Sequence, residues 1–243
     1  MIDLTKEQPV VKLVTALIKA GTTKPMTRST VLPVTEITNM FMKWGDNKDL
    51  SIKHLRLKAI TLLALSLMLR PSDVAPKGTI FDQVSETEES FIFSKDLIQF
   101  SVAGMHVTFL GIKNDTDRSG FKVFLPRMND DILDPVKTLE DYITATDNVR
   151  IDNAVFISLR KPHKALSAAS IAKILEDALA SAGLLNKGFS AKSFRPTGAT
   201  KAIESGVEPD IVQKLGRWKC SEVFKNHYVH SVTPVNYLNK LLE

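Results

Sequence analysis

The chain has 243 residues, of which 44% are hydrophobic and 24% are charged, the balance of an ordinary globular protein. Its 32 lysine and arginine residues exceed its 27 acidic residues, so the formal net charge is +5. No apolar run approaches the roughly 20 residues that a transmembrane helix needs, and the N-terminus lacks the features of a secretion signal. A single cysteine, Cys220, excludes an internal disulfide and a multi-cysteine metal site. We therefore expect an intracellular protein without a membrane partner.

The first 31 residues differ in pattern from the rest of the chain. Apolar residues recur at helical spacing over residues 10–20, Gly21 follows, and the next stretch contains two prolines and no periodicity. We expect a short helix and an extended linker over residues 1–31, followed by one domain over residues 32–243. The last part of this domain, from about residue 234, has the pattern of a C-terminal tail.

Two helices are predicted at the start of the large domain. The first begins near Thr35, and the second is capped by Ser51 and runs over residues 52–69. Pro71 disfavours a helical conformation of the residue before it, so Arg70 is expected at the end of the second helix. A short turn is expected to follow from Ser72.

The pattern changes to period two between residues 80 and 126. The segments FIF (91–93), HVTFLGI (106–112) and FKVFLP (121–126) are predicted strands. A polar turn joins the last two strands into a hairpin, with Lys113 at the mouth of its loop. Helical patterns return over 134–144, 167–183, 194–205, 208–215 and 221–228. The predicted fold class is mainly α with a small antiparallel three-stranded β-sheet.

The sequence contains neither a phosphate-cradling glycine loop nor a spacing of metal ligands. We therefore expect no metal and no cofactor. Between residues 187 and 219, seven cationic residues outnumber three acidic ones, which indicates a surface for a polyanion. The cationic residues of this segment are Lys187, Lys192, Arg195, Lys201, Lys214, Arg217 and Lys219.

Several polar residues have the chemistry of a phosphodiester site. The guanidinium groups of Arg70 and Arg195 can grip phosphate oxygens and stabilise a pentacovalent transition state. The amine of Lys113 can deliver a proton to a leaving 5′ oxygen, and the phenol of Tyr228 can attack phosphorus. A tyrosine has an ordinary pKa of about 10, so neighbouring cations are needed to favour its phenolate form.

Ordered motifs in the chain resemble those of a known family. SAKSFRPTGAT (190–200), LGRW (215–218) and YVH (228–230) look like the C-terminal signature of the tyrosine recombinase, or phage integrase, family. LRPSDV (69–74) resembles the first arginine box of that family. GIKNDTDRSG (111–120) resembles the hairpin that carries the family lysine, and its form is closest to recombinases of the Crypton and DIRS mobile elements.

The resemblance implies a role for each site residue. The catalytic residues would be Arg70, Lys113, Lys192, Arg195, Trp218 and Tyr228. Lys192 stands where the family usually has histidine. At the next family site, His or Trp, counting from the glycine selects Arg217, whereas side-chain type selects Trp218. We prefer Trp218, with Arg217 as a phosphate or backbone contact and Asp73 as a brace for the arginines. Further DNA contacts are assigned to Arg118, Lys187, Lys201, Lys214 and Lys219.

The resemblance also implies the reaction. Tyr228 would cut double-stranded DNA, form a 3′-phosphotyrosyl link and allow rejoining, in DNA recombination or integration. The enzyme would act as a homo-oligomer, a tetramer on DNA, in the nucleus if it comes from a eukaryotic mobile element. Residues 1–31 would be the remnant of a DNA-clamping, core-binding domain. The apolar stripe of the tail, residues 234–242, would dock on a neighbouring protomer or fold back on its own domain.

Two other functions are compatible with the same motifs. One is a DNA-binding descendant of a recombinase that has lost catalysis. The other is an enzyme like a type IB topoisomerase, which relaxes supercoiled DNA as a monomer.

Overall fold

The computed structural model describes residues 30–76, 93–110 and 120–228, without the side chains of residues 223 and 226–228. The helices are α1 (Val34–Trp44), α2 (Ile52–Ser66), α3 (Pro135–Thr146), α4 (Ala168–Ser181), α5 (Phe194–Glu204), α6 (Pro209–Leu215) and α7 (Ser221–Tyr228). The strands are β1 (Ile98–Phe100), β2 (Gly104–Phe109) and β3 (Phe121–Pro126). Short 3₁₀ helices cover Asn47–Asp49, Pro71–Asp73, Lys95–Leu97, Asp147–Val149 and Ala191–Ser193. The predicted fold class, mainly α with one small antiparallel sheet, is confirmed.

Polar caps set the starts of three helices. The side chains of Ser51, Asp134 and Ser167 each accept a hydrogen bond from a backbone N–H in the first turn of α2, α3 and α4. Such a bond satisfies one of the donors that a helix N-terminus leaves without an intrahelical partner. The predicted starts of these helices are confirmed to within one residue.

Helix α2 is the centre of the fold. Most of its residues are buried, and α3, α4 and α5 pack around it. A helix that is apolar on nearly all sides belongs in a core. The buried polar residues of α2 are Lys58 and Thr61, and Nζ of Lys58 donates to Oδ1 of Asn47 at 2.7 Å. Burial lowers the pKa of Lys58, and the nearby Asp130 and Asp141 oppose that shift.

The end of α2 differs from the prediction. The helix ends at Ser66, three residues before the predicted Leu69, because Met68 takes a left-handed conformation with φ of 50°. The N–H of Leu69 then returns to the carbonyl of Ala64 at 3.2 Å. Arg70 is therefore not the last residue of α2 but the residue that precedes the short helix Pro71–Asp73.

The sheet is antiparallel in the order β1-β2-β3. The predicted pairing of β2 with β3 is confirmed, and the loop between them, residues 111–119, lies outside the described residues. The predicted first strand is wrong at Phe93, which lies in a bend, and residues 91–92 lie outside the description. The ring of Phe93 stacks on Phe109 and Phe156, so its burial serves core packing.

The inward face of the sheet joins the core of the helices. Met105, Val107 and Phe109 alternate along β2 and are fully buried. Among the described residues, no helix is long and apolar enough to cross a membrane. The predicted helix over 10–20 and the tail from 234 lie outside the described residues.

Gly198 marks the closest approach of α5 to α2. A Cβ atom at this position would lie 2.1 Å from the carbonyl oxygen of Leu65, and backbone cannot move as a flexible side chain can. We expect Gly198→Ala to lower the free energy of unfolding by about 1–3 kcal/mol, as overpacking in a core does. Thermal unfolding measures the effect, with Ala180→Ser on the exposed side of α4 as the control. Equal melting temperatures for the two variants would contradict this close approach.

Candidate active site

Two buried arginines contact one carboxylate that lies in a distant part of the chain. Arg217 donates from Nη2 to Oδ2 of Asp73 at 3.2 Å, and Nη1 of Arg195 lies 3.9 Å from the same oxygen. Each of the three residues is at most 7% exposed, and buried charges need such partners. We call these residues, together with Arg70, the arginine centre.

The carbonyl of Met68 holds both buried arginines. It accepts from Nη1 of Arg195 at 2.6 Å and from Nη2 of Arg217 at 3.4 Å. The left-handed conformation of Met68 ends α2 and turns the chain at this point. The early end of α2 thus supplies an acceptor to the centre.

Arg70 joins the centre through its backbone. Its N–H donates to Oδ2 of Asp73 at 2.9 Å, and the residue is half-buried. Burial lowers the pKa of Arg217, the Asp73 carboxylate opposes that shift, and the charge of Arg70 adds to it. The Asp73 carboxylate thus lies next to the side chains of Arg195 and Arg217 and the backbone of Arg70.

A cavity of about 730 Å³ opens beside the centre. Arg70, Arg195 and Lys192 line it, and Lys192 is exposed in the short helix Ala191–Ser193. Glu176 of α4 lines the same cavity. A cavity with three cationic groups at its wall fits a small anionic group such as a phosphate.

The Gly-Arg-Trp segment closes the other side of the centre. The ring of Trp218 lies 4.0 Å from the guanidinium carbon of Arg195 and 4.9 Å from the ring of Phe224. The carbonyl of Gly216 accepts a hydrogen bond from Nη2 of Arg195. A Cβ atom on Gly216 would fall 1.6 Å from the Trp218 ring, so glycine is required here.

The side chains of Arg217 and Trp218 have different neighbours. Arg217 faces Asp73 and also lies 4.8 Å from the ring centre of Phe109. Trp218 is half-buried and covers Arg195. The two candidates for the same family site therefore have different contacts: Arg217 bonds Asp73, and Trp218 packs on Arg195.

The nucleophile predicted from the sequence, Tyr228, is the last residue of α7. Its side chain lies outside the described part of the structure. Phe224, one helical turn earlier, is fully buried against Met68 and Trp218, which fixes α7 to the arginine centre.

The predicted DNA-binding lysines are all at the surface. Lys187, Lys201, Lys214 and Lys219 are exposed, and Nζ of Lys201 lies 2.6 Å from a carboxylate oxygen of Glu204. Lys113 and Arg118 lie outside the described residues. The structure therefore brings together Arg70, Asp73, Lys192, Arg195, Arg217 and Trp218, and leaves the four lysines apart from the centre.

Sequence reasoning missed several contributors. The carbonyls of Met68 and Gly216 act through the backbone, which leaves no side-chain signature. Phe109 carries the alternation of a core strand, and Glu176 carries the pattern of an ordinary helix. Within the described ranges, no group of three or more His, Cys, Asp or Glu side chains is arranged to hold a metal ion.

Comparison with known proteins points to one family. Residues 121–233 match the model of the Phage integrase family. No curated protein matches the chain. The XerA recombinase structure aligns with a TM-score of 0.60 and 15% identity, over 95% of this chain and 72% of that one.

Two further solved structures share the fold. A lambda integrase (75–356) dimer bound to a COC′ core site has a TM-score of 0.51 and 15% identity, over 90% of this chain and 67% of that one. The Tn1549 transposon integrase (residues 82–397), in complex with circular intermediate DNA, has a TM-score of 0.51 and 14% identity, over 96% and 75%. The family match supports the predicted recombinase or integrase function, and the structural matches confirm the predicted fold. Residues 121–233 are thus similar to the Phage integrase family, and the chain shares the fold of solved recombinase and integrase structures.

Proposed function

We propose that this chain is a site-specific recombinase or integrase that cuts and rejoins double-stranded DNA through Tyr228. The observation that carries the proposal is the cavity lined by Arg70, Lys192 and Arg195, beside the carboxylate of Asp73 that the Arg217 and Arg195 side chains and the Arg70 backbone approach. A phosphodiester in this cavity would place its anionic oxygens beside Arg70, Lys192 and Arg195.

The arginines act on the transition state. As the phenol oxygen of Tyr228 bonds to phosphorus, charge builds on the non-bridging oxygens, and Arg70 and Arg195 line the space where these oxygens would lie. Asp73 and the carbonyl of Met68 hold Arg195 in place beforehand. Lys192 adds a third cation, and Trp218 keeps the Arg195 guanidinium in its plane.

The atoms balance in a two-step reaction. The phenol of Tyr228 gives up its proton to the surrounding water, and its oxygen forms a bond to phosphorus while the bond from phosphorus to the 5′ oxygen breaks. Lys113 gives its proton to that oxygen, and the product is a 3′-phosphotyrosyl link with a free 5′ hydroxyl. The reverse attack by a 5′ hydroxyl releases Tyr228 and reseals the strand, so no external energy source is consumed.

The DNA bound in two solved structures of the same fold supports DNA as the substrate. The lambda integrase structure is a dimer on a core site, and the Tn1549 integrase holds circular intermediate DNA. By analogy this chain acts as a homo-oligomer, a tetramer when two DNA sites are joined. The exposed Lys187, Lys214 and Lys219 extend a cationic surface for the duplex.

The sequence also supports a particular type of recombinase. The form of the 111–120 motif supports kinship with Crypton and DIRS recombinases of mobile elements. Such an origin places the protein in the nucleus of a eukaryotic host.

The test uses DNA that the protein itself selects. Duplexes bound by the chain are recovered from a random-sequence pool, nicked beside the bound site and incubated with the protein, then separated under denaturing conditions. We expect a protein–DNA adduct that survives denaturant. Binding without an adduct would instead identify a non-catalytic descendant. Relaxation of plasmid by a monomer, without strand joining between two sites, would identify a type IB topoisomerase.

Lys113 has its own prediction. A 5′-bridging sulfur at the cut site leaves without a proton, so it bypasses the need for a general acid. We expect Lys113→Ala to cut the sulfur substrate at nearly the normal rate and to lose at least about 10²-fold on the oxygen substrate, the size of a typical acid–base contribution. Rates of adduct formation on both substrates measure this. Similar defects on the two substrates would remove Lys113 from the role of acid.

A further inference from the structure

The guanidinium of Arg217 contacts both the sheet and the other residues of the arginine centre. On one side its central carbon lies 4.8 Å from the ring centre of Phe109, the last residue of β2. On the other side Nη2 reaches Asp73 at 3.2 Å and the carbonyl of Met68 at 3.4 Å. One side chain therefore contacts elements on both sides of the site.

Arg217 differs from Arg70 and Arg195 in its position relative to the cavity. Its side chain is 4% exposed, and it is absent from the wall of the cavity that Arg70 and Arg195 line. The backbone at Arg217 has φ of 60°, a left-handed conformation that directs the chain around the centre. A guanidinium in this place acts on Asp73 rather than on a phosphate.

We propose that Arg217 is a positioning residue that fixes Asp73, and through it Arg195, against strand β2. This inference rests on the proposed function, because Arg195 is assigned there to the transition state. The planar fork of Arg217 bonds Asp73 and a carbonyl while its face lies on the Phe109 ring. An ammonium group has neither the fork nor the flat face.

Position matters because the reaction depends on alignment. A displacement of about 1 Å at a reacting group can lower a rate by about 10²-fold, even when the changed residue is remote. Loosening Arg217 should therefore slow cleavage more than it weakens DNA binding, which spreads over many surface cations. This split between rate and affinity distinguishes positioning from a direct phosphate contact.

The first experiment replaces Arg217 with lysine in the full chain. The rate of adduct formation at saturating nicked duplex and the dissociation constant for the same duplex are measured. We expect R217K to lower the rate by about tenfold or more, with less than about threefold change in affinity. Loss of affinity in proportion to rate would make Arg217 a phosphate contact and overturn the inference.

The second experiment tests the same link from the sheet side, with a matched control. Phe109 and Phe41 are both fully buried, and each lies under a cation, Arg217 at 4.8 Å and Lys58 at 6.0 Å. Phe109→Leu and Phe41→Leu remove the same ring from two parts of the core. Both should lower the melting temperature, and only Phe109→Leu should slow adduct formation, by about three- to tenfold.

The outcomes separate this inference from the proposed function. An unaltered protein that forms no adduct refutes the proposed function. An active unaltered protein with equal rates for Phe109→Leu and Phe41→Leu, both assayed well below their melting temperatures, refutes the role of Arg217 alone.

Discussion

Replacing Tyr228 with phenylalanine should abolish the covalent protein–DNA adduct. The change removes one oxygen atom, the one that bonds to phosphorus, and leaves the ring. We expect the rate of adduct formation to fall by about 10⁴-fold or more, as the loss of a nucleophile does in other covalent enzymes. Denaturing electrophoresis with a nicked duplex measures the adduct, and a binding titration checks that affinity is kept.

The chain offers an internal control for this experiment. It contains three tyrosines, Tyr142, Tyr228 and Tyr237. Tyr142 is fully buried, its hydroxyl accepts from the N–H of Ile157 at 3.3 Å, and burial raises its pKa. Tyr142→Phe should therefore leave the adduct intact. An adduct formed by Tyr228→Phe would show that another residue attacks the DNA.

Replacing Arg70 with alanine should slow cleavage far more than it weakens binding. Loss of one donor to a developing oxyanion lowers a rate by about 10²–10³-fold, which corresponds to about 3–4 kcal/mol. Arg70 suits the test because its backbone N–H, rather than its side chain, donates to Asp73, and alanine keeps that bond. Single-turnover cleavage and DNA affinity are measured on the same duplex.

Two further variants serve as comparisons for Arg70→Ala. Arg195→Lys keeps a cation while removing the fork that reaches Met68 and Gly216, so we expect a loss of similar size. Lys187→Ala, at an exposed position, should change affinity and its salt dependence with the rate at saturation unaltered. Equal losses of rate and affinity in Arg70→Ala would instead favour a DNA-binding protein without catalysis.

The helix starts were predictable because their signals are local. Ser51, Asp134 and Ser167 each precede an apolar periodic segment, and each side chain does cap a helix. The end of α2 was not predictable in this way. Met68 takes a left-handed backbone without being glycine, and tertiary bonds from two distant arginines to its carbonyl stabilise that conformation.

The error in the first strand has a similar cause. Phe93 lies in a segment with the composition of a strand, yet core stacking on Phe109 and Phe156 explains its aromatic character. The true β1 is only the three residues Ile98–Phe100, too short to show alternation. Short pairings depend on the neighbouring strand more than on their own sequence.

The ordered motifs predicted which residues form the candidate site, but they did not predict which of these residues contact one another. The motifs supplied Arg70, Asp73 and Arg195, and these do lie together. Arg217 bonds Asp73, and the ring of Trp218 packs on the Arg195 guanidinium. Both contacts depend on the turn at Gly216. No pattern in the sequence distinguishes a guanidinium that faces a phosphate from one that faces a buried carboxylate.

The arginine centre joins residues that are far apart in the chain. Arg195 bonds the carbonyl of a residue 127 positions earlier, and Arg217 bonds Asp73 across 144 positions. During synthesis the N-terminal part of the domain emerges first and begins to fold. Asp73 is therefore synthesised before its partners Arg195 and Arg217, and its carboxylate lacks these ion pairs until both have been added to the chain. A polypeptide that ends before Arg195 consequently has no assembled arginine centre.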